Sequence, residues 1–234
     1  MRNKIVFLTC LLCVATVFTS HPAVTCAHAE EAFLDRLTFF GESTTTHLRS
    51  RGGIPRERVW ANDAGTAKLD ASLLLRPLRF EEDLLTPAEA ATKYTPEILV
   101  LSFGLNGILH FSLHPDGYVK QYRALIECLS AASPNTRFLI QCVYPVAEHS
   151  AEWSFSCPPA EINERIALLN RYLVDLCLEL PNAELIDTAA AVTDENGYLR
   201  ADFTTDGIHL NETAYRAVLR VICEYGMKKQ ANTV

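Results

Sequence analysis

The amino-acid sequence predicts an α/β fold with a parallel sheet and helices on both of its faces. Short apolar runs alternate with longer amphipathic segments along the 234 residues, at the spacing of βαβ units. The run at Ile98–Phe103 is apolar on both faces, as a central parallel strand should be. The length suffices for one such domain with a full core, and we find no internal repeat or low-complexity tract.

Five segments are predicted to be strands, because each is a short apolar run bounded by turn-forming or polar residues. The first run stops at Gly41, the second leads into an Asn-Asp-Ala-Gly turn, and the fourth ends before Pro145. The predicted strands are Leu37–Phe40, Val59–Ala61, Ile98–Phe103, Arg137–Tyr144 and Ala183–Asp187.

The intervening segments are predicted to be helices, mainly from the spacing of their apolar residues. Pro87 favours the first position of a helix, and Asn211 is a suitable N-cap for the last one. Residues 76–83 are predicted to form a solvated connection, and the chain from Lys228 onward a frayed polar tail. The predicted helices are Thr44–Arg51, Thr66–Leu75, one starting at Thr86-Pro87, Asp116–Ala132, Ala160–Leu180, and one from Asn211 to about Gly226.

The first 29 residues have the pattern of a secretory signal peptide. Arg2 and Lys4 precede an almost unbroken apolar run at Ile5–Phe18, and the Ala-His-Ala at 27–29 resembles a cleavage site. The run is short for a membrane span, so an uncleaved anchor is the lesser alternative. We therefore expect cleavage after Ala29, a secreted or extracytoplasmic protein without stable membrane insertion, and one domain formed by residues 30–234.

Charge and cysteine content narrow the possible partners. The chain has 28 acidic and 21 basic residues, which argues against binding to nucleic acid or to an anionic membrane.

The five cysteines beyond the signal segment contain no C-x-x-C pair. Four of them lie in apolar patterns, where buried free thiols are expected, and Cys157 lies in a loop. The five are Cys128, Cys142, Cys157, Cys177 and Cys223. The sequence does not indicate an oligomeric state.

A serine follows the first predicted strand, at the strand end where ligands bind in open α/β sheets. Ser43 comes two residues after Gly41, in a segment that predicts a tight turn. A serine in this place can be a nucleophile if a base lies close to it. The alternative is a polar Ser/Thr loop that caps the next helix.

Two further polar blocks follow in order along the chain. Ser-Phe-Gly-Leu-Asn-Gly at 102–107 comes directly after an apolar run, and Asp-Gly-Ile-His-Leu at 206–210 places a carboxylate and an imidazole three residues apart. Together with Ser43, these blocks resemble the SGNH, or GDSL-type, hydrolase family over roughly residues 34 to 225. The Asp-Gly-Ile-His-Leu block is the most specific part of the resemblance.

The resemblance implies a fold, an activity and a set of site residues. The implied fold is a three-layer α/β/α, flavodoxin-like arrangement with five parallel strands in the order 2-1-3-4-5. The implied activity is that of a serine esterase without metal or organic cofactor, with Ser43 as nucleophile, His209 as base and Asp206 as the carboxylate that orients the base. The oxyanion hole would comprise the Ser43 N–H, the Gly65 N–H and the Asn106 side chain.

Several of these assignments have competitors in the sequence. Asp202 is the alternative orienting carboxylate, and Gly53 is the alternative oxyanion-hole glycine. His110 and His114, which follow Asn106 closely, could line the cleft. Tyr144 and the loop around Trp153 could form its wall. No H-x-x-x-H or H-E-x-x-H motif occurs, which gives metal catalysis little support.

Two positions depart from the family pattern and open alternatives for the function. Glu42 stands where the first block usually has aspartate, and Gly107 stands where the third block usually has aspartate. Neither position is a nucleophile, base or oxyanion donor, so the chemistry is not excluded. The leading hypothesis is a secreted esterase that removes a small acyl group, acetyl for example, from a small-molecule or glycan ester such as a cell-wall polymer. The alternatives are a non-catalytic carbohydrate- or ligand-binding module on the same fold, and an O-acyltransferase that uses the same triad.

Overall fold

The structure is a computed structural model that describes residues 29–70, 72–80, 83–150 and 153–231. Except for Ala29, the predicted signal segment lies outside the described residues. Among the residues described, no helix is both long and apolar enough to cross a membrane.

Five of the seven strands found in the described residues form one parallel sheet, in the order β2-β1-β5-β6-β7. This is the predicted 2-1-3-4-5 order once the two strands of a separate hairpin are left out, and the prediction is confirmed. Gly41 of β1 lies opposite Ser102 of β5, so the loops that follow these two strands meet at one edge of the sheet. The strands are β1 Leu37–Gly41, β2 Val59–Trp60, β3 Leu78–Phe80, β4 Asp83–Leu85, β5 Ile98–Ser102, β6 Arg137–Gln141 and β7 Ala183–Ile186.

Eight helices accompany the strands in the described part of the chain. The predicted helix Thr44–Arg51 is divided into two short turns, with His47 between them. Thr86 caps the helix that begins at Pro87, and Glu89 completes a capping box. The helices are α1 (residues 29–34), α2 Ser43–Thr46, α3 Leu48–Arg51, α4 Pro87–Tyr94, α5 Ile108–Phe111, α6 Pro115–Ala132, α7 Pro159–Glu179 and α8 Glu212–Ala231.

Alternating residues of the central strands pack into two hydrophobic cores, one on each face of the sheet. Phe40 and Leu101 contribute to the core covered by α4, α6 and α7. Phe39 and Val100 contribute to the core covered by α1, α3 and α8. Each buried side chain of this kind stabilises the fold by about 1.5–3 kcal/mol. The arrangement is the three-layer fold that the sequence predicted.

Two local predictions between β2 and α4 are wrong. The described residues between 66 and 75 do not form the predicted helix, since the only helical piece among them is a 3-10 turn at Leu73–Leu75. Leu78–Phe80 and Asp83–Leu85 are not parts of a solvated connection only, because they form the antiparallel strand pair β3 and β4. Leu78 and Phe80 are buried while Arg79 is exposed, which is the alternation of a strand with one face on the core.

The last helix begins as predicted but continues past the predicted end. Asn211 accepts a hydrogen bond from the Ala214 N–H at 3.1 Å, which confirms its role as N-cap. Gly226 does not end the helix; the ring of Phe33 fills the space that a side chain there would need. Lys229 forms an ion pair with Glu184 at 2.5 Å. The predicted frayed tail is therefore wrong as far as Ala231.

The five cysteines from Cys128 to Cys223 are free thiols. Cys142 and Cys223 are buried, as expected, whereas Cys128 and Cys177 are partly exposed, contrary to expectation. Cys157, which was predicted to lie in a loop, is also partly exposed.

Candidate active site

Ser43 lies at the carboxyl end of β1, as the first residue of α2. The first N–H groups of a helix have no acceptor within that helix. The Ser43 backbone N–H also finds no acceptor elsewhere among the described residues. The turn therefore presents both a partly exposed hydroxyl and an open N–H donor.

His209 and Asp206 meet Ser43 from a loop that a β-bridge between Thr204 and Leu210 closes. His209 Nε2 lies 3.0 Å from Ser43 Oγ, and His209 Nδ1 lies 2.6 Å from Asp206 Oδ2. With the Nδ1 proton donated to the carboxylate, Nε2 is free to accept the proton of the serine hydroxyl. The structure thus brings together the three predicted side chains in an order that permits proton transfer.

Asp206 is held as a carboxylate by hydrogen bonds. Burial alone would raise its pKa, but the His209 backbone N–H, the His209 imidazole and the Ile208 N–H lower the pKa of Asp206 to about 2. Its Oδ1 accepts from Ile208 N–H at 2.9 Å and from His209 N–H at 2.7 Å. An ionised Asp206 can orient the imidazole and stabilise its protonated form.

The Asp206 loop is tied to the loop after β6, a connection that the sequence did not suggest. Ser150 Oγ donates to the Asp206 carbonyl at 2.5 Å, and the Ala147 N–H donates to the Gly207 carbonyl at 2.9 Å. Thr204 Oγ1 donates to the His209 carbonyl at 2.9 Å. These bonds fix the backbone from which both side chains project.

The rival carboxylate Asp202 is not brought to the imidazole. It is exposed and pairs with the guanidinium of Arg200, with 2.8 Å between Nη2 and Oδ2. Of the two candidates, only Asp206 has a carboxylate oxygen on the His209 ring.

Gly65, rather than its competitor Gly53, lies next to Ser43. Gly65 has φ of +64°, and a Cβ placed on it would lie 2.9 Å from the Ser43 Cβ. A side chain at 65 would therefore overlap the nucleophile. A Cβ on Gly53 would meet nothing within 4 Å.

The donors of Gly65 and Asn106 are engaged within the chain. The Gly65 N–H donates to the Asn62 carbonyl at 3.0 Å. Asn106 Nδ2 donates to the carbonyls of Gly65 at 3.1 Å and Ala67 at 2.8 Å. Since an amide nitrogen carries only two hydrogens, both Asn106 donors already have acceptors. The structure thus places Gly65 against Ser43 and Asn106 against Gly65, but of the three predicted oxyanion donors only the Ser43 N–H has no acceptor within the described residues.

Glu42, the first departure from the family pattern, connects two loops of the site. Its carboxylate is buried and accepts from the Leu105 N–H at 2.8 Å and the Asn106 N–H at 2.9 Å. Burial raises the pKa of Glu42 to about 7, although the N–H donors of Asn106, Leu105 and Gly104 oppose the shift. The glutamate side chain, which is longer than that of the usual aspartate, thus connects the residue before the nucleophile to the Asn106 loop by hydrogen bonds.

Gly107, the second departure, has a backbone conformation that favours glycine. Its φ is +110°, and a Cβ there would lie 3.0 Å from the ring of Phe111. An aspartate at this position would be strained and would press on that ring.

Other predicted cleft residues have different surroundings. Tyr144 is buried, and its hydroxyl accepts from Gln141 Nε2 at 2.7 Å, so the prediction that it lines the cleft is wrong. The rings of His110 and His114 contact each other, with centroids 4.9 Å apart. Trp153 Nε1 donates to the Cys157 carbonyl at 2.8 Å. No group of three or more His, Cys, Asp or Glu side chains suited to a metal ion is found in the residues described.

Sequence reasoning missed one residue at the site. The ring of His47 meets that of His209 edge to face, with centroids 4.7 Å apart. His47 follows Ser43 by four residues, which is one helical turn. That spacing was the only available signal.

Comparison with known proteins identifies similar solved structures at low sequence identity. A GDSL-like lipase from Bacteroides thetaiotaomicron VPI-5482 matches with a TM-score of 0.58 and 17% identity, covering 89% of this chain and 98% of the other. A carbohydrate esterase family 3 protein from Talaromyces cellulolyticus matches with a TM-score of 0.52 and 13% identity, covering 84% and 98%. The acetyl xylan esterase AlAXEase matches with a TM-score of 0.51 and 21% identity, covering 81% and 98%. No curated protein sequence matches the chain.

These likenesses establish the fold, and the family follows from the sequence. Residues 39–217 match the model of the GDSL-like lipase/acylhydrolase family, a span that reaches from β1 into α8 and includes Ser43, Asp206 and His209. The chain belongs to the GDSL-like lipase/acylhydrolase family, the SGNH hydrolases.

Proposed function

We propose that the protein is a secreted serine esterase that removes a small acyl group, with acetyl as the first candidate, from a carbohydrate or cell-wall polymer. The observation that carries the proposal is the continuous contact from Asp206 through His209 to the Ser43 hydroxyl, with 2.6 Å and 3.0 Å between the bonded atoms. Such a chain activates a serine that is otherwise a weak nucleophile.

In the proposed mechanism, Ser43 Oγ attacks the ester carbonyl while His209 Nε2 takes the hydroxyl proton. Asp206 remains ionised and stabilises the imidazolium. His209 then gives the proton to the leaving alcohol oxygen as the C–O bond breaks, which leaves an acyl group on Ser43. Water, deprotonated by His209, releases the acid and restores the serine.

The oxyanion formed in these steps requires donors beyond the Ser43 N–H. Gly65 and Asn106 are in place, but their N–H groups are bonded to chain carbonyls. We infer that the turn from Asn62 to Ala67 shifts when the ester binds, so that Asn106 Nδ2 exchanges a chain carbonyl for the substrate oxygen. The exchange replaces one acceptor by another and leaves no donor unpaired.

The substrate class rests on location and on the names of similar structures. The predicted signal peptide favours a substrate outside the cytoplasm. Two of the structural matches are named as a carbohydrate esterase and an acetyl xylan esterase. An O-acetylated glycan is consistent with both considerations.

The test is release of acetate from acetylated xylo-oligosaccharides and from a simple aryl acetate by purified protein. The Ser43→Ala variant, checked for folding by its thermal unfolding, is the control. Turnover that disappears in this variant supports the proposal, and equal turnover in both proteins overturns it. Adding a sugar acceptor and analysing the products separates hydrolysis from acyl transfer.

A second candidate is non-catalytic binding of a carbohydrate on the same fold. The engagement of the Gly65 and Asn106 donors favours it, because a binding module does not need a free oxyanion hole. Saturable binding of a glycan without turnover of any ester would support this candidate.

A further inference from the structure

His47 contacts the proposed general base from the same turn that carries the nucleophile. Its backbone N–H donates to the Ser43 carbonyl at 3.1 Å, so its backbone is held one helical turn after Ser43. Its ring lies 4.7 Å from that of His209, centroid to centroid, at an interplanar angle of 79°. His209 is thus placed between its hydrogen-bond partners and a second aromatic ring.

The surroundings of His47 favour an uncharged ring. Burial, followed by the neighbouring Arg51 and His209, lowers the pKa of His47 to about 4, against the opposing effect of Asp206. Its Nδ1 is buried and has no hydrogen-bond partner in the described residues. The hydrogen bonds of the His209 ring go to Asp206 and Ser43, so none joins it to His47 that could carry a proton. What His47 offers His209 is therefore a neutral surface of fixed shape.

The next turn holds the backbone of the same loop. Arg51, at the end of α3, donates from Nη1 to the Leu210 carbonyl at 2.8 Å. Leu210 directly follows His209 in the chain. The segment from Ser43 to Arg51 therefore contacts this loop at two points, the ring of His209 and the backbone carbonyl of Leu210.

We propose that His47 is a positioning residue, whose ring packs against His209 and keeps His209 Nε2 directed at Ser43 Oγ. The proposal rests on the proposed esterase function of the Ser43 site. It predicts that the reactivity of Ser43 depends on an aromatic ring at position 47 and does not depend on the ring nitrogens.

The test compares His47→Phe with His47→Ala. Phenylalanine keeps an aromatic ring and removes the nitrogens, whereas alanine removes the contact. Ser50→Ala, in the adjacent short helix α3, is the control, because Ser50 is exposed and its hydroxyl reaches only the His47 carbonyl among the described residues, at 3.5 Å. Three quantities are measured at neutral pH: the rate at which a fluorophosphonate probe labels Ser43, kcat and KM for an aryl acetate, and the nuclear magnetic resonance signals of the His209 ring.

We expect His47→Ala to lower the labelling rate and kcat by tenfold or more with little change in KM. We also expect it to shift or broaden the His209 signals. His47→Phe and Ser50→Ala should stay within threefold of wild type. A His47→Ala variant that labels at the wild-type rate with an unchanged His209 spectrum overturns the proposal, and so does a His47→Phe variant as impaired as His47→Ala.

The spectroscopic arm separates failure of this proposal from failure of the esterase function. Wild-type protein without labelling or turnover contradicts the proposed function. The His209 signals then still decide whether His47 positions that ring. A loss of thermal stability common to both His47 variants is corrected by normalising each rate to the folded fraction.

Discussion

The hydrogen bonds around Ser43 differ between two regions: the base side, formed by His209 and Asp206, and the oxyanion side, formed by Gly65 and Asn106. On the base side, His209 Nε2 lies 3.0 Å from Ser43 Oγ, and Asp206 holds the opposite ring nitrogen. On the oxyanion side, the Gly65 N–H and both Asn106 amide hydrogens are donated to carbonyl oxygens of the chain. The base side is arranged for proton transfer, whereas on the oxyanion side the donors of Gly65 and Asn106 are engaged in hydrogen bonds within the chain.

The difference follows from how each side is supported. The base side rests on bonds to several elements, including Ser150 Oγ on the Asp206 carbonyl and Arg51 on the Leu210 carbonyl. The oxyanion side depends on one turn, from Asn62 to Ala67, and on the Glu42 carboxylate behind Asn106. In the proposed mechanism, that turn is the part that moves when the ester binds.

The largest effect should come from breaking the base side. His209→Ala removes the group that takes the serine proton, and we expect kcat to fall by about 10⁴-fold or more. Steady-state hydrolysis of an aryl acetate measures the loss, with thermal unfolding as the check on folding. A fall of less than about tenfold would mean that His209 is not the base.

The next largest effect should come from breaking the oxyanion side. Asn106→Ala removes the amide that we expect to turn toward the substrate oxygen. The loss of one such donor lowers kcat by about 10²–10³-fold. If the amide only stabilises the loop, the variant will lose stability while kcat per folded molecule is kept. That result would contradict a role for Asn106 as an oxyanion donor.

Glu42→Gln tests whether the hydrogen bonds of Glu42 position Asn106. An amide in place of the carboxylate directs a donor at one of two backbone N–H groups, so we expect Asn106 to be displaced and kcat to fall by about 10-fold to 10²-fold. The matched control is Glu42→Asp, which keeps the charge on a shorter side chain. Kinetics that are unchanged in both variants would show that Glu42 does not position Asn106.

The same residue predicts a pH dependence of stability. The pKa of Glu42 is about 7 in the folded protein against an ordinary value of 4.5, so the folded state binds this proton more tightly than the unfolded state. Its contribution is full below pH 4.5 and is lost as the pH rises to about 7, a difference of about 3 kcal/mol. Chemical unfolding of wild type and Glu42→Gln across this range measures the effect. Identical slopes in the two proteins would contradict it.

The smallest effect on kcat is expected from the hydrogen bond that joins the loop after β6 to the Asp206 loop. Ser150→Ala removes the hydrogen bond to the Asp206 carbonyl and should cost about 1 kcal/mol of unfolding free energy. We expect kcat to change by only a few-fold, because Thr204 still holds the His209 carbonyl. A loss of kcat as large as that of Asn106→Ala would place Ser150 among the essential supports of the base.

The parts of the fold that the sequence predicted correctly are those set by local apolar patterns. The five sheet strands are runs such as Leu37–Phe40, whose burial is visible in composition alone. The hairpin β3–β4 was missed, because strands of three residues differ little from a polar connection. The end of α8 was missed because it depends on distant partners, with Phe33 packed at Gly226 and Glu184 paired with Lys229.

The site divides in the same way. Ser43, Asp206 and His209 could be proposed from order and spacing, and the structure brings their side chains into contact. The bonds of Glu42 to the Asn106 loop and the contact of His47 with His209 join segments distant in sequence. No local pattern encodes such distances, so they emerge only from the folded chain.

The most direct test of the account is whether Ser43 is an activated nucleophile. Purified protein would be treated with a fluorophosphonate probe, and the adduct located by intact mass and peptide mapping. We expect a single adduct on Ser43 that is lost in His209→Ala. Folded protein that forms no adduct, or that labels equally well without His209, would contradict it and favour the carbohydrate-binding alternative.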